Sequence, residues 1–172
     1  MNGVLLVDKP AGMTSHDVVD RVRRAAQQRR VGHTGTLDPG ATGLLVLCLG
    51  AATRLSEHLT GLDKTYEGTM RLGVVTDSYD LDGAVVSEHP VPALAQADIQ
   101  AVCDALTGDI LQTPPMMSAV KVGGKRLYKM ARSGQTVERE PRPVHVEAFD
   151  ILSWTPPDAG LRVRCGSGTY VR

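Results

Sequence analysis

The stretch VGHTGTLDPGATGLLVLCLG, residues 31–50, decides how the chain is read. Its first thirteen residues hold four glycines, three threonines, one histidine and a single carboxylate, Asp38, set in front of Pro39. The apolar run LLVLCLG, 44–50, reads as a buried strand. A permissive loop with one acid at its centre therefore runs straight into the core.

Several site types can be tried on that loop. GTLDPGAT, 35–42, nearly fits the phosphate-cradle pattern G-x-x-x-x-G-K-[ST], but Ala41 stands where the lysine must reach the phosphates. An acid inside such a cradle also repels the ligand. The glycine spacing of a dinucleotide site is absent. A metal needs clustered ligands, and His33 and Asp38 alone are too few. A Ser-His-Asp triad is not excluded by spacing, yet no serine sits in a nucleophile-elbow pattern. Two readings of Asp38 remain. It is a turn former, since Asp-Pro-Gly is a common turn sequence, or it is itself the reactive group, a carboxylate held in place and ionised. Composition alone favours the turn.

Upstream, GVLLV (3–7) reads as a short buried strand ending in the DKPAG turn. Thr14 with Asp17 three positions on forms a capping-box pattern, and Val18, Val19, Val22, Ala25 and Ala26 give helical spacing to about Gln28. Downstream, 51–61 reads as a helix closed by Gly61. KTYEGTMRLG (64–73) alternates, placing Tyr66, Gly68, Met70 and Leu72 on one face of a strand. Residues 76–83 read as a loop and 97–108 as a helix. A hairpin is expected around Gly123-Gly124, running into a short helix through Arg132, and strands are expected at 143–154 and 161–165. Strands and helices mix without regular βαβ repeats. The expected class is α+β, with a mixed, largely antiparallel sheet and flanking helices.

The chain has 172 residues, 42% of them hydrophobic, enough for a compact domain with a core. No apolar run reaches membrane-spanning length, and the N-terminus lacks a signal-peptide pattern. Cys48, Cys103 and Cys165 match neither a zinc spacing nor a disulfide framework, so a reducing, cytoplasmic setting is expected. Net charge is zero, but it is unevenly distributed. Residues 73–120 carry seven acids and no lysine or arginine, while 121–172 carry ten bases and five acids. Five arginines fall within 21–30. Charge alone leaves open both ordinary solvated faces and a polyanion-binding face built from the two basic segments.

Five motifs occur in order: GVLLVDKPAGMTSHDVV, RRVGHTGTLDPGATGLLVL, KTYEG, PPMMSAVKVGGKRLYKMAR and GTYVR. In this the chain resembles the TruB family of tRNA pseudouridine synthases, from near residue 3 to the last residue. The resemblance implies the pseudouridine synthase fold and conversion of uridine 55 in the T-loop of tRNA to pseudouridine, with no metal and no organic cofactor. It implies that Asp38 is the catalytic aspartate. Tyr66 would pack on the target base and is a candidate for proton abstraction. Arg172 would pair with the catalytic carboxylate, and Tyr170 would be a second pocket tyrosine. His33 would help displace the base from its stack. Lys64 and Lys9, each within a motif, would be supporting residues. Family members continue past GTYVR and usually add a PUA-type RNA-binding domain. The 172 residues are therefore expected to form an incomplete catalytic domain, acting as a monomer on the T-arm with impaired turnover. A non-catalytic tRNA-binding or tRNA-folding module is the alternative.

Overall fold

The computed structural model describes residues 1–172, apart from the side chain of Arg132. The chain forms two compact units, Met1–Leu62 and Asp63–Arg172. No helix is long and apolar enough to cross a membrane among the described residues.

The first unit is a three-stranded antiparallel sheet with one helix against it. Its elements are β1 (Gly3–Lys9), α1 (Ser15–Ala25), β2 (Val31–His33), β3 (Gly43–Leu49), a 3-10 turn (Gly50–Leu55) and α2 (Ser56–Thr60). The strand order is β1-β3-β2, with β3 in the centre because it carries the most continuous apolar run. Leu45, Leu47 and Leu49 point from β3 onto Val18 and Val19 of α1 and Val31 of β2, and all six are buried. Helix α1 starts where its sequence predicts. The Thr14 hydroxyl accepts from the Asp17 N–H at 3.1 Å, and the Asp17 carboxylate accepts from the Thr14 N–H at 2.8 Å.

Three expectations for this unit are corrected. GVLLV is not a buried strand: Val4, Leu5 and Leu6 are all exposed, and of the five residues only Val7 packs against the core. Residues 31–33 are strand rather than loop, paired as Val31–Leu49, Gly32–Cys48 and His33–Leu47. Three residues with a central glycine carry too little periodicity to announce a strand. The 51–61 helix is instead a 3-10 turn followed by five α-helical residues.

The second unit contains β4 (Lys64–Arg71), β5 (Val74–Thr76), β6 (Val85–Glu88), α3 (Gln96–Ala105), β7 (Gly108–Gln112), β8 (Lys121–Val122), β9 (Lys125–Arg126), α4 (Leu127–Arg132), β10 (Arg142–Thr155) and β11 (Asp158–Cys165). Its main sheet runs β4-β11-β10-β7, antiparallel throughout. The inner face joins Val146, Ile151, Leu161 and Val163 to Ile99 and Cys103 of α3, and Tyr66, Met70 and Leu72 pack against this cluster. The alternation read in KTYEGTMRLG is thus the in–out pattern of β4. Its outward residues make cross-strand ion pairs, Glu67 with Arg162 at 2.7 Å and Arg71 with Asp158 at 2.8 Å. At such exposure solvent screens both pairs, and together they serve chiefly to keep that face polar.

Helix α3 ends at Ala105 rather than 108, because Gly108, at φ 94°, opens β7. Neither β7 nor the β5–β6 hairpin was expected. The Gly123-Gly124 hairpin and the helix after it form as read, both glycines lying at positive φ. The α+β class with antiparallel sheets holds.

Candidate active site

The residues singled out from the sequence divide between the two units. Lys9, His33 and Asp38 lie in the first. Lys64, Tyr66, Tyr170 and Arg172 lie in the second.

Asp38 stands in the connection between β2 and β3, two adjacent antiparallel strands. Its carbonyl accepts from the Ala41 N–H at 3.1 Å, so Asp38-Pro39-Gly40-Ala41 is a hydrogen-bonded turn. The residues on either side of Asp38 are tied to the β1–α1 segment. On one side the Ser15 hydroxyl accepts from the Leu37 N–H at 2.9 Å and donates to the Leu37 carbonyl at 3.1 Å. On the other, the Pro39 carbonyl accepts from the Gly12 N–H at 2.8 Å and from Lys9 Nζ at 3.3 Å. The Leu37 side chain packs on the core. The carbonyls of residues 37, 38 and 39 are all bonded, while Asp38 itself is solvent-exposed. The bonded backbone on both sides of Asp38 limits where its carboxylate can go, and positioning of that kind is what a nucleophile needs.

Lys9 ends β1 opposite Gly43, the first residue of β3, and is fully buried. Its ammonium donates to the carbonyls of Pro10, Met13 and Pro39 at 3.0, 2.7 and 3.3 Å, using all three of its donors. Lys9 is therefore a strut under the turn. His33 ends β2, half-buried, with Nδ1 lacking a hydrogen-bond partner among the described residues. Burial pushes its imidazole pKa below the ordinary 6.5.

In the second unit Tyr66 lies opposite Val163 with its ring against the core, and Lys64 lies opposite Cys165. Tyr170 sits in the segment after β11, outside any regular element. The Gln112 carboxamide at the end of β7 holds that segment: Oε1 accepts from the Tyr170 N–H at 2.9 Å and Nε2 donates to the Tyr170 carbonyl at 3.0 Å. Two residues on, the Arg172 guanidinium is largely buried. It pairs with Asp80 at 2.9 Å and donates to the Ser78 carbonyl at 3.4 Å. Asp80 also accepts from the Ser78 hydroxyl and from the Asp82 N–H. A Cβ on Gly83 would collide with Ser78 and Asp77, so glycine lets this loop close.

Ser15, Gln112 and Asp80 escape the sequence reading. Ser15 hides beside a residue already identified as a cap. Asp80 is one of three acids in TDSYDLDG, with nothing in the spacing to single it out. Gln112 lies just ahead of the Pro114-Pro115 motif, separated from it by Thr113, and nothing in the spacing singles it out.

The model of the TruB family pseudouridylate synthases, N-terminal domain, matches residues 23–171. tRNA pseudouridine synthase B of Opitutus terrae is 55% identical over 172 residues, covering all of this chain and 71% of the relative. The proteins of that name from Geobacillus kaustophilus and Burkholderia pseudomallei are 52% and 50% identical, and the chain spans only 63% and 57% of their lengths. Among solved structures, a Cbf5-Nop10-Gar1 complex matches with a TM-score of 0.73 and 31% identity, over 99% of this chain and 41% of that one. An H/ACA RNP bound to a substrate RNA containing 2'-deoxyuridine matches with a TM-score of 0.68 and 27% identity, over 99% of this chain and 39% of that one. By fold this is a pseudouridine synthase domain. The chain belongs to the TruB family.

Proposed function

We propose that the chain carries the catalytic machinery of a tRNA pseudouridine synthase that isomerises uridine 55 in the T-loop, with Asp38 as the nucleophile. The observation that carries this reading is the backbone of residues 37–39, bonded at each carbonyl and carrying the loop's one carboxylate. The relatives at 50–55% identity bear the name tRNA pseudouridine synthase B.

The reaction breaks the bond from C1′ of the ribose to N1 of uracil and forms a bond from C1′ to C5. C5 loses its proton and N1 gains one, so no atom is added and no redox step occurs. Asp38 attacks either C1′, giving an ester from which C5 displaces the carboxylate, or the ring, giving an adduct that expels the carboxylate by elimination after C5 has joined C1′. Tyr66 offers an aromatic face for the base and a hydroxyl for the C5 proton. His33, kept neutral by burial, fits a wedge that enters the space left by the flipped base at little charge cost. Flipping costs on the order of a few kcal/mol. Phosphate contacts offset it. A concavity of about 720 Å³ on the β8–β9 hairpin and α4 is lined by Lys121, Lys125, Arg126 and Lys129, and suits an RNA backbone.

The test is tritium release from C5-labelled T-arm RNA by the parent and by Asp38→Asn. The parent is expected to release tritium and form pseudouridine, and the variant to form none. Product from Asp38→Asn at the parental rate refutes the nucleophile. Binding without turnover in the parent favours a tRNA-folding module instead.

A further inference from the structure

We propose that Ser15 is a positioning residue for this reaction, its hydroxyl setting the peptide planes that aim the Asp38 carboxylate. The inference rests on the reading of Asp38 as nucleophile.

Ser15 is the first residue of α1 and is buried. The helix does not need its hydroxyl. Thr14 and Asp17 already complete the cap reciprocally. The hydroxyl is committed across 22 residues of sequence to Leu37, accepting from its N–H at 2.9 Å and donating to its carbonyl at 3.1 Å. The N–H belongs to the peptide plane before Leu37, and the carbonyl to the plane that joins Leu37 to Asp38. One oxygen therefore fixes both. With the Ala41 bond to the Asp38 carbonyl and the Lys9 and Gly12 bonds to the Pro39 carbonyl, every plane from residue 36 to residue 40 is held. Removing the hydroxyl frees the two planes on the N-terminal side of Asp38 and leaves the other two in place. The carboxylate then swings about a pivot at Pro39, and a displacement of about 1 Å at a reacting group costs up to about 100-fold in rate.

The experiment compares Ser15→Ala, Ser15→Thr and Thr14→Ala in the enzyme, with T-arm RNA as substrate. Thr14→Ala destabilises the same helix end without touching Leu37, and so controls for stability. Ser15→Ala is expected to lower kcat about 10- to 100-fold with KM changed less than about twofold, and to speed amide exchange at Leu37. Thr14→Ala is expected to keep the parental kcat below its melting temperature. Ser15→Thr, which restores a hydroxyl, is expected to recover kcat. A parental kcat in Ser15→Ala overturns the proposal, as does an equal kcat loss in Thr14→Ala. Asp38→Asn is run beside them. If it still makes product, the nucleophile reading falls. If it is dead while Ser15→Ala is fully active, only the role of Ser15 falls.

Discussion

Arg172 and Asp80 form an ion pair, Nη1 to Oδ2 at 2.9 Å, with both side chains mostly out of water. The pair is seated in a closed loop, because the second Asp80 oxygen accepts from Ser78 and Asp82 while the Ser78 carbonyl faces the same guanidinium. An arginine near the end of the chain is thus held by a loop some 90 positions earlier in sequence, the Arg172–Ser78 separation being 94.

Replacing Asp80 by Asn keeps the shape of that loop and removes its charge. A hydrogen bond to a charged partner contributes about 1.5–3 kcal/mol. If Arg172 acts in catalysis, Asp80→Asn should lower kcat about 10-fold or more, with little change in KM. Single-turnover kinetics on T-arm RNA measures this. Parental kinetics in the variant detach Asp80 from the reaction.

Lys9→Met tests the strut under the Asp38 turn. Methionine is close to lysine in length and apolar, so the site stays filled while the Pro10, Met13 and Pro39 carbonyls lose a shared donor. Pro39 keeps the Gly12 N–H. A buried carbonyl left unbonded costs about 1–3 kcal/mol, and partial rescue by water sets the net loss at about 2–4 kcal/mol. Urea unfolding should show a lower midpoint with an unchanged slope. A midpoint equal to the parent's shows that the ammonium contributes nothing net.

The turn at Asp38, the cap at Thr14 and the inward Tyr66 were legible because each is written in local chemistry: a Pro-Gly pair, a Thr-x-x-Asp spacing, a period of two. Strand β2 was not legible, since its identity comes from pairing with β3 and not from its own three residues. The exposure of Val4, Leu5 and Leu6 was hidden for a related reason. An apolar run states that a strand can be buried and leaves open how many of its faces are. The clamps were the least legible of all. Ser15–Leu37, Lys9–Pro39 and Gln112–Tyr170 join residues 22, 30 and 58 positions apart, and no periodicity encodes a side chain that bonds to a distant backbone. The motifs mark segments of the chain, while the bonds that hold those segments are set by the fold.

Gln112 offers a test in which one atom changes. In Gln112→Glu the oxygen that accepts from the Tyr170 N–H is retained, but the group facing the Tyr170 carbonyl changes from donor to acceptor. Loss of the bond and repulsion between two acceptors should destabilise the segment by about 1–3 kcal/mol. Gln112→Met removes both bonds, leaving the Tyr170 N–H and carbonyl unbonded but opposing neither. Amide exchange at Tyr170 should rise most in the methionine variant, which alone loses the acceptor of that N–H. The reverse order rules out the two-bond clamp.

His33 gives the pH dependence a sign. Burial holds its folded-state pKa below 6.5, the ordinary value it regains on unfolding, outweighing a backbone hydrogen bond at Gly35 that pulls the other way. Between the two values the unfolded chain binds a proton that the folded chain does not, so stability rises with pH across that window. The contribution is fully present above about 6.5 and is lost as pH falls toward the folded-state value. Asp17 and Asp158 are also shifted, in both cases downward from 3.8, chiefly by hydrogen bonds from Thr14 and Arg71 respectively. Their contributions fade only in more acid solution, below the histidine window. Melting temperatures measured from pH 7.5 down to 5 should therefore fall for the parent and fall less for His33→Gln, which cannot titrate. Parallel curves for the two proteins show that His33 takes up its proton as readily folded as unfolded. A half-buried imidazole that protonates freely would also weaken its fit as a neutral wedge beside a flipped base.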